Sequence, residues 1–339
     1  MRVWNLLFLS CVITAAAVAA EATFTVRSEI VDDLARAVAL ERNGNTRDAE
    51  RLVLQIIARL ASGGGSKIEM SIALNNLGIL YIATDRYTDA ERQFMRSIRI
   101  LQTLDGDIPR QALAKTRLHL AALYLEMGRE REIARLDVPK LIETLHGVED
   151  QARAKGILAG LRAARRDFAA AEQMYAELLS FWMDPVRAAA SQTEIAIVRN
   201  NLGVIALWQG RTDVARTRLE QSFEDWQRTG GPENPNLVKA MTNVASVYMQ
   251  LKQYDHAEAW LARGAALGRK TLGEFHPFVV RIEFARAEAL KKSGRKAEAR
   301  ELAQWAAEAR GTVRSPSTDA YIVDYRDIQS LRPHSASRR

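Results

Sequence analysis

Five asparagines stand at matching places along this 339-residue chain. Asn75 and Asn76 come just before Gly78, Asn200 and Asn201 just before Gly203, and Asn243 two residues before Ala245. A primary amide carries a donor and an acceptor together, so it can pair with a peptide N–H and C=O without reading side chains. The same amide serves equally well to hydrogen-bond a neighbouring segment of its own protein, and the sequence leaves both uses open. By helical spacing, Ile79 and Ala83 share a face with Asn76, Val204 and Trp208 with Asn201, and Ser246 and Gln250 with Asn243. Trp208 is thus either an anchor for a ligand or a packing residue.

Other chemistry is sparse. The five histidines (His119, His146, His256, His276, His334) are scattered, with no HxxxH pair to share a helix face. The single cysteine, Cys11, excludes an intramolecular disulfide and Cys-rich metal sites. Gly63-Gly64-Gly65-Ser66-Lys67 imitates a phosphate loop but lacks the GxxxxGK[ST] spacing and a preceding strand, so it is expected to be a connector. Glu130 with Glu132, and Glu149 with Asp150, are charge runs at turns or helix ends and not a carboxylate pair. No nucleophile–base pair or dinucleotide fingerprint is present, and neither an enzyme nor a small-molecule cofactor is expected.

The 47% apolar and 26% charged fractions are those of a chain with a core. Lys and Arg exceed Asp and Glu, 48 to 41, and thirty-eight of the forty-eight are Arg. These charges are interspersed and no reader motif accompanies them, which argues against nucleic acid as a partner.

The elements that must position the asparagines are repeated. Segments 76–91, 201–216 and 243–258 align, each with a small residue (Gly78, Gly203, Ala245) followed twelve residues later by an alanine (Ala90, Ala215, Ala257). A short polar turn lies between them, and the turn-plus-alanine recurs at Ala49, Ala134, Ala171 and Ala299. The seven alanines are 41, 44, 37, 44, 42 and 42 residues apart. Apolar periodicity on both sides of each turn predicts seven helical hairpins, fourteen helices, stacked so that neighbours bury what one hairpin cannot. Small residues let the two helices of a hairpin cross closely. Pro185, Pro235 and Pro277 are expected to start first helices, with Asp184 and Asn234 as caps. Pro139 falls inside a second helix and should break it.

Residues Leu74, Leu77, Gly78, Tyr81, Ala90, Phe94 and Ser97 resemble the tetratricopeptide repeat pattern. The 42-residue spacing and the linkers GGPENPNLVKAM and LGEFHPFVVRI look like the kinesin-light-chain variety found in bacterial proteins. The resemblance covers 28–310, most clearly 71–104, 196–229, 238–271 and 280–310. It implies an all-α fold, a right-handed α-solenoid of about seven hairpins whose first helices line a concave groove. There the family uses asparagines to hold an extended peptide, which puts Asn76, Asn200, Asn201, Asn243 and Trp208 forward as peptide-binding residues. On the alanine alignment Leu120 and Ile157 take the asparagine place in the third and fourth units, so no continuous ladder is expected. The implied function is a non-catalytic interaction scaffold for a protein or peptide partner.

The ends differ in character. Residues 1–20 combine Arg2, an apolar run from Leu6 to Val18 and small residues up to Ala20, the pattern of a signal peptide cut after Ala20. Export to the periplasm or outside the cell is the expectation. The alternative is lipidation at Cys11, which would tether the chain to a membrane as a structural subunit or assembly factor of an envelope complex. Residues 311–339 leave the repeat and are expected to be partly disordered, with strand-like residues at Tyr321–Tyr325.

Overall fold

The computed structural model describes residues 27–63, 65–188 and 191–312. The signal peptide, Cys11 and the tail from 313 lie outside them. Fifteen helices occupy the described residues: α1 Ser28–Arg42, α2 Thr46–Ser62, α3 Lys67–Ala83, α4 Tyr87–Leu101, α5 Asp107–Glu126, α6 Glu130–Leu136, α7 Val138–Thr144, α8 Val148–Ala164, α9 Phe168–Trp182, α10 Gln192–Trp208, α11 Thr212–Gly230, α12 Asn236–Gln250, α13 Tyr254–Thr271, α14 Pro277–Lys292 and α15 Lys296–Thr312. Six of the seven expected hairpins pack in sequence order: α1 with α2, α3 with α4, α5 with α6 and α7, α10 with α11, α12 with α13 and α14 with α15. The count exceeds fourteen because the second helix of the third hairpin is broken, as Pro139 requires. Asp137 takes left-handed backbone (φ 47°) between α6 and α7, and Pro139 enters in the first turn of α7. The chain divides into two compact units, 27–161 and 162–312, with the division in the last turn of α8.

Each turn is built alike. A residue with positive φ stands five places before the buried residue that opens the second helix: Gly44 before Ala49, Asp85 before Ala90, Arg166 before Ala171, Gly210 before Ala215, Lys252 before Ala257 and Gly294 before Ala299. The left-handed step ends one helix and reverses the chain in a few residues. In the third hairpin Gly128 holds that step, and five residues on is Ile133, 2% exposed, whereas Ala134 is exposed. The alanine alignment of this unit is therefore one residue late. Its spacings become 43 and 38 in place of 44 and 37.

The small positions work as close-contact points. A Cβ at Gly78 would stand 2.5 Å from the Phe94 ring, and one at Gly203 would stand 2.6 Å from Leu219 Cγ. Ala90, Ala171, Ala215 and Ala257 are fully buried. Within two hairpins a serine ties the helices together: Ser97 Oγ donates to the Ser71 carbonyl (2.9 Å) and Ser222 Oγ to the Ala196 carbonyl (2.8 Å).

A side chain caps the start of α3, α9 and α14. Ser66 caps α3 in a reciprocal box with Glu69, so the glycine-rich run ends in a helix cap and not in a phosphate cradle. Pro277 opens α14 behind the His276 cap, and Asn234 accepts from the Asn236 N–H at the start of α12. Pro185 does not start a helix. Asp184 accepts from the Val186 N–H at 3.0 Å, closing a turn, and α10 begins only at Gln192.

Candidate peptide-binding face

The amides proposed for a ligand are mostly inside the protein. Asn75, Asn200, Asn201 and Asn243 are buried, Asn201 completely, and Trp208 is buried against Phe168. Asn243 Nδ2 on α12 donates to Asn200 Oδ1 on α10 at 2.7 Å, and Asn200 Nδ2 turns to Asn201 Oδ1 at 3.3 Å. Asn76 is half-buried, and its Nδ2 donates to the Ile72 carbonyl one turn back. Of the two uses open to these side chains, the geometry shows hydrogen bonding to the neighbouring hairpin for Asn200 and Asn243. First helices packed side by side bury the edge that carries these two amides, whereas Asn76 stays half-buried.

The corrected register of the third hairpin uncovers the partner of this bond in the other unit. With Ile133 in the alanine place, His119, not Leu120, stands where Asn76, Asn201 and Asn243 stand. His119 Nδ1 donates to Asn75 Oδ1 at 2.8 Å, joining α5 to α3 as Asn243 joins α12 to α10. Both bonds run from the same repeat place back to the asparagine one place earlier in the preceding hairpin. Burial pushes the His119 imidazole down to about 3, so it is neutral at physiological pH and donates from Nδ1. Sequence reading missed His119 because it followed the alanines; Gly128 and Arg129, at the spacing of the other turns, were the available signal.

Trp208 Nε1, buried near the second-unit network, lacks a hydrogen-bond partner. The Asn201 amide faces the phenol of Tyr175 on α9, which burial drives well above the ordinary tyrosine range. What the first helices leave half-buried is a different row. Ile197, Lys239 and Arg281 recur every 42 residues on α10, α12 and α14, three places before Asn200, Thr242 and Phe284. They share a helix face with those residues and carry an apolar group followed by two cations.

A second periodic feature sits at the turns, and sequence reading did not reach it. After four of the buried alanines a glutamate follows that pairs with an arginine at the turn of the next hairpin. The pairs are Glu50 with Arg86 (2.7 Å), Glu91 with Arg129 (2.7 Å), Glu172 with Arg211 (2.8 Å) and Glu258 with Arg295 (3.7 Å). A tyrosine five residues before the arginine completes two of these. Tyr124 donates to Glu91 at 2.8 Å under the Arg129 guanidinium, and Arg86 lies 3.9 Å over Tyr81, which bonds Glu50. Burial and the neighbouring glutamate raise both phenols. Between α11 and α13 the glutamate is replaced by Arg216 and the arginine by Gln253. There Tyr248 donates one turn further along, to Glu220, at 2.9 Å.

Among the described residues no group of three or more His, Cys, Asp or Glu is placed to hold a metal ion, and no helix is long and apolar enough to cross a membrane. Helical hairpins closed by small-residue crossings and joined by inter-hairpin amides and charged turns define a helical-repeat protein. The tetratricopeptide repeat signature matches residues 33–103, 194–267 and 237–311, more than half of the sequence, and the chain belongs to that family. No curated protein matches the sequence.

Solved structures resemble the fold at low identity. BtubC (BKLC) from P. vanneervenii is 18% identical with a TM-score of 0.52, over 71% of this chain and 98% of that one. NprR in complex with its cognate peptide NprX is 13% identical with a TM-score of 0.57, over 91% of this chain and 88% of that one. A putative kinesin light chain from Podosopora anserina is 20% identical with a TM-score of 0.47, over 58% and 94%.

Proposed function

We propose that this protein is a non-catalytic scaffold that binds an extended segment of a partner protein along the first helices of its hairpins. The observation that carries the reading is the row Ile197, Lys239 and Arg281, half-buried at 42-residue intervals on three successive first helices. A strand-like ligand crossing those helices would meet one side chain per hairpin, and the two cations suit a segment with acidic residues. The peptide complex of the structurally similar NprR supports the mode of action. In this proposal the buried asparagines set the spacing of the helices beneath the ligand.

The kinesin-light-chain variety remains our reading of the repeat length and linkers. We place the mature protein outside the cytoplasm on the strength of residues 1–20. Mass spectrometry of the mature N-terminus tests that placement: Glu21 as first residue supports it, and a diacylated Cys11 replaces it with a membrane tether.

Affinity capture from an extract of the source cell, with residues 21–339 as bait, tests the binding face. A Lys239→Glu, Arg281→Glu double variant runs beside the parent, with Arg300→Glu on the exposed part of α15 as control and circular dichroism to confirm folding. A partner lost only with the double variant supports the face. An unchanged set of partners removes it.

A further inference from the structure

The second helices of the two units differ in exposed charge. On α9, α11, α13 and α15, six exposed Lys and Arg stand against seven exposed Asp and Glu. On α2, α4, α6 and α7, which follow the turns of the first three hairpins, nine stand against two, Asp48 and Glu143. Like charges gathered on one face repel one another, and an anionic surface relieves that repulsion. Helical spacing groups them further. Arg47, Arg51 and Leu54 share one stripe of α2, and Arg92, Met95, Arg96 and Arg99 share one of α4. Some of these cations are neutralised inside the protein: Arg51 meets Asp48 at 3.2 Å, Arg59 meets Asp33 at 2.7 Å and Arg92 meets Asp89 at 3.5 Å. Arg96 donates to Gln93 Oε1 and Arg99 to the Met95 carbonyl. Neither of these two, nor Arg47 or Arg131, meets a carboxylate among the described residues.

The cations do not stand alone. Leu54 and Met95 are 44% and 41% exposed, each five places after the buried alanine of its hairpin, Ala49 and Ala90, and three places after an arginine. Two aliphatic side chains held out at one repeat place among cations add nothing to a nucleic acid, whose affinity comes from phosphate contacts. A protein partner is anchored best by rigid aromatics and pockets, and no aromatic side chain is exposed on these helices. A lipid surface uses both kinds of group: its phosphates take the guanidinium groups and its acyl layer takes the aliphatic tips.

We propose that the outward faces of α2, α4 and α6 dock the protein on an anionic lipid bilayer, with the arginines against headgroup phosphates and Leu54 and Met95 dipping between the lipids. Flotation of the full-length chain with vesicles tests this. Vesicles of phosphatidylcholine and phosphatidylglycerol in equal parts should bind it at least about tenfold more tightly than phosphatidylcholine alone, and added salt should weaken that binding. Arg96→Glu with Arg99→Glu should lower the affinity for anionic vesicles at least about tenfold. Lys296→Glu with Arg300→Glu on α15 changes the net charge equally and should leave most of the binding, with circular dichroism confirming the fold of each variant. Leu54→Ser with Met95→Ser should weaken vesicle binding and leave binding to double-stranded DNA, the comparison polyanion, unchanged. Equal loss with the two charge-reversed pairs overturns the proposal, as does equal binding to neutral and anionic vesicles. DNA bound more tightly than anionic vesicles, with vesicle binding indifferent to the serine pair, overturns it in favour of nucleic-acid phosphate. No binding to anionic vesicles also overturns it, and a protein captured by the parent but lost with Arg96→Glu and Arg99→Glu then assigns the face to an acidic protein.

Discussion

Asn243 and His119 each spend their hydrogen on an asparagine of the preceding hairpin, and the cost of losing that partner can be stated. Asn243→Ala leaves Asn200 Oδ1 buried without its donor, so it should destabilise the second unit by about 1–3 kcal/mol, measured as a shift in urea unfolding. For His119 the expected signature is a pH slope. Its folded pKa of about 3 lies below the 6.5 of an unfolded histidine, so between these values the unfolded chain binds the extra proton. The stability it contributes is complete above pH 6.5 and is lost as pH falls toward 3, at up to about 1.4 kcal/mol per pH unit. Urea titrations at pH 7 and pH 4 should therefore differ less in His119→Gln than in the parent. An equal difference in both would assign the acid sensitivity to other groups.

At the scale of elements, two kinds of contact hold hairpins together, and only one was legible beforehand. Glycine and alanine at 12-residue offsets announced the close crossings, because a missing side chain is visible in a sequence. Gly203→Ala should accordingly cost about 1–3 kcal/mol, since the new Cβ meets Leu219, and thermal melting will read it. The charged turns were not legible, because glutamate and arginine are common on any helix surface and the pair is 36 to 39 residues apart. The hairpin count, the break at Pro139 and the family pattern came from periodicity. The roles of Asn200 and Asn243 did not, because an amide of given spacing looks the same whether its edge faces a ligand or the next helix. The one-residue error at Ala134 had the same root: residue type was followed where backbone geometry, marked by Gly128, decides. A double-mutant cycle on Glu91 and Arg129 should give a coupling of about 0.3–1 kcal/mol, as half-exposed ion pairs do.

For the molecule as a whole, stability should be uneven. Repeat arrays sum local hairpin terms and nearest-neighbour terms, so a weak hairpin opens without carrying the rest. The third hairpin, with its second helix split at Asp137 into two seven-residue pieces, is the weakest by this criterion. Native-state hydrogen exchange should show α6 and α7 exchanging at least about tenfold faster than α11 and α13, a difference of 1.4 kcal/mol or more in opening free energy. Equal protection across all four would argue for tertiary support of the broken helix.

The charged turns have one more consequence. They pin the first hairpin to the second, the second to the third, the fourth to the fifth and the sixth to the seventh, and the residues they join tolerate separations from 36 to 39. Connections at the margin away from these turns, such as 231–235, lack this repeated pair (there Lys270 meets Glu233 instead) and are freer to change in length. Like leaves sewn along one spine, the hairpins keep their order while their outer borders differ. Insertions that give one descendant of this chain a new partner should accumulate at that more loosely sewn border, leaving the stack beneath them unaltered.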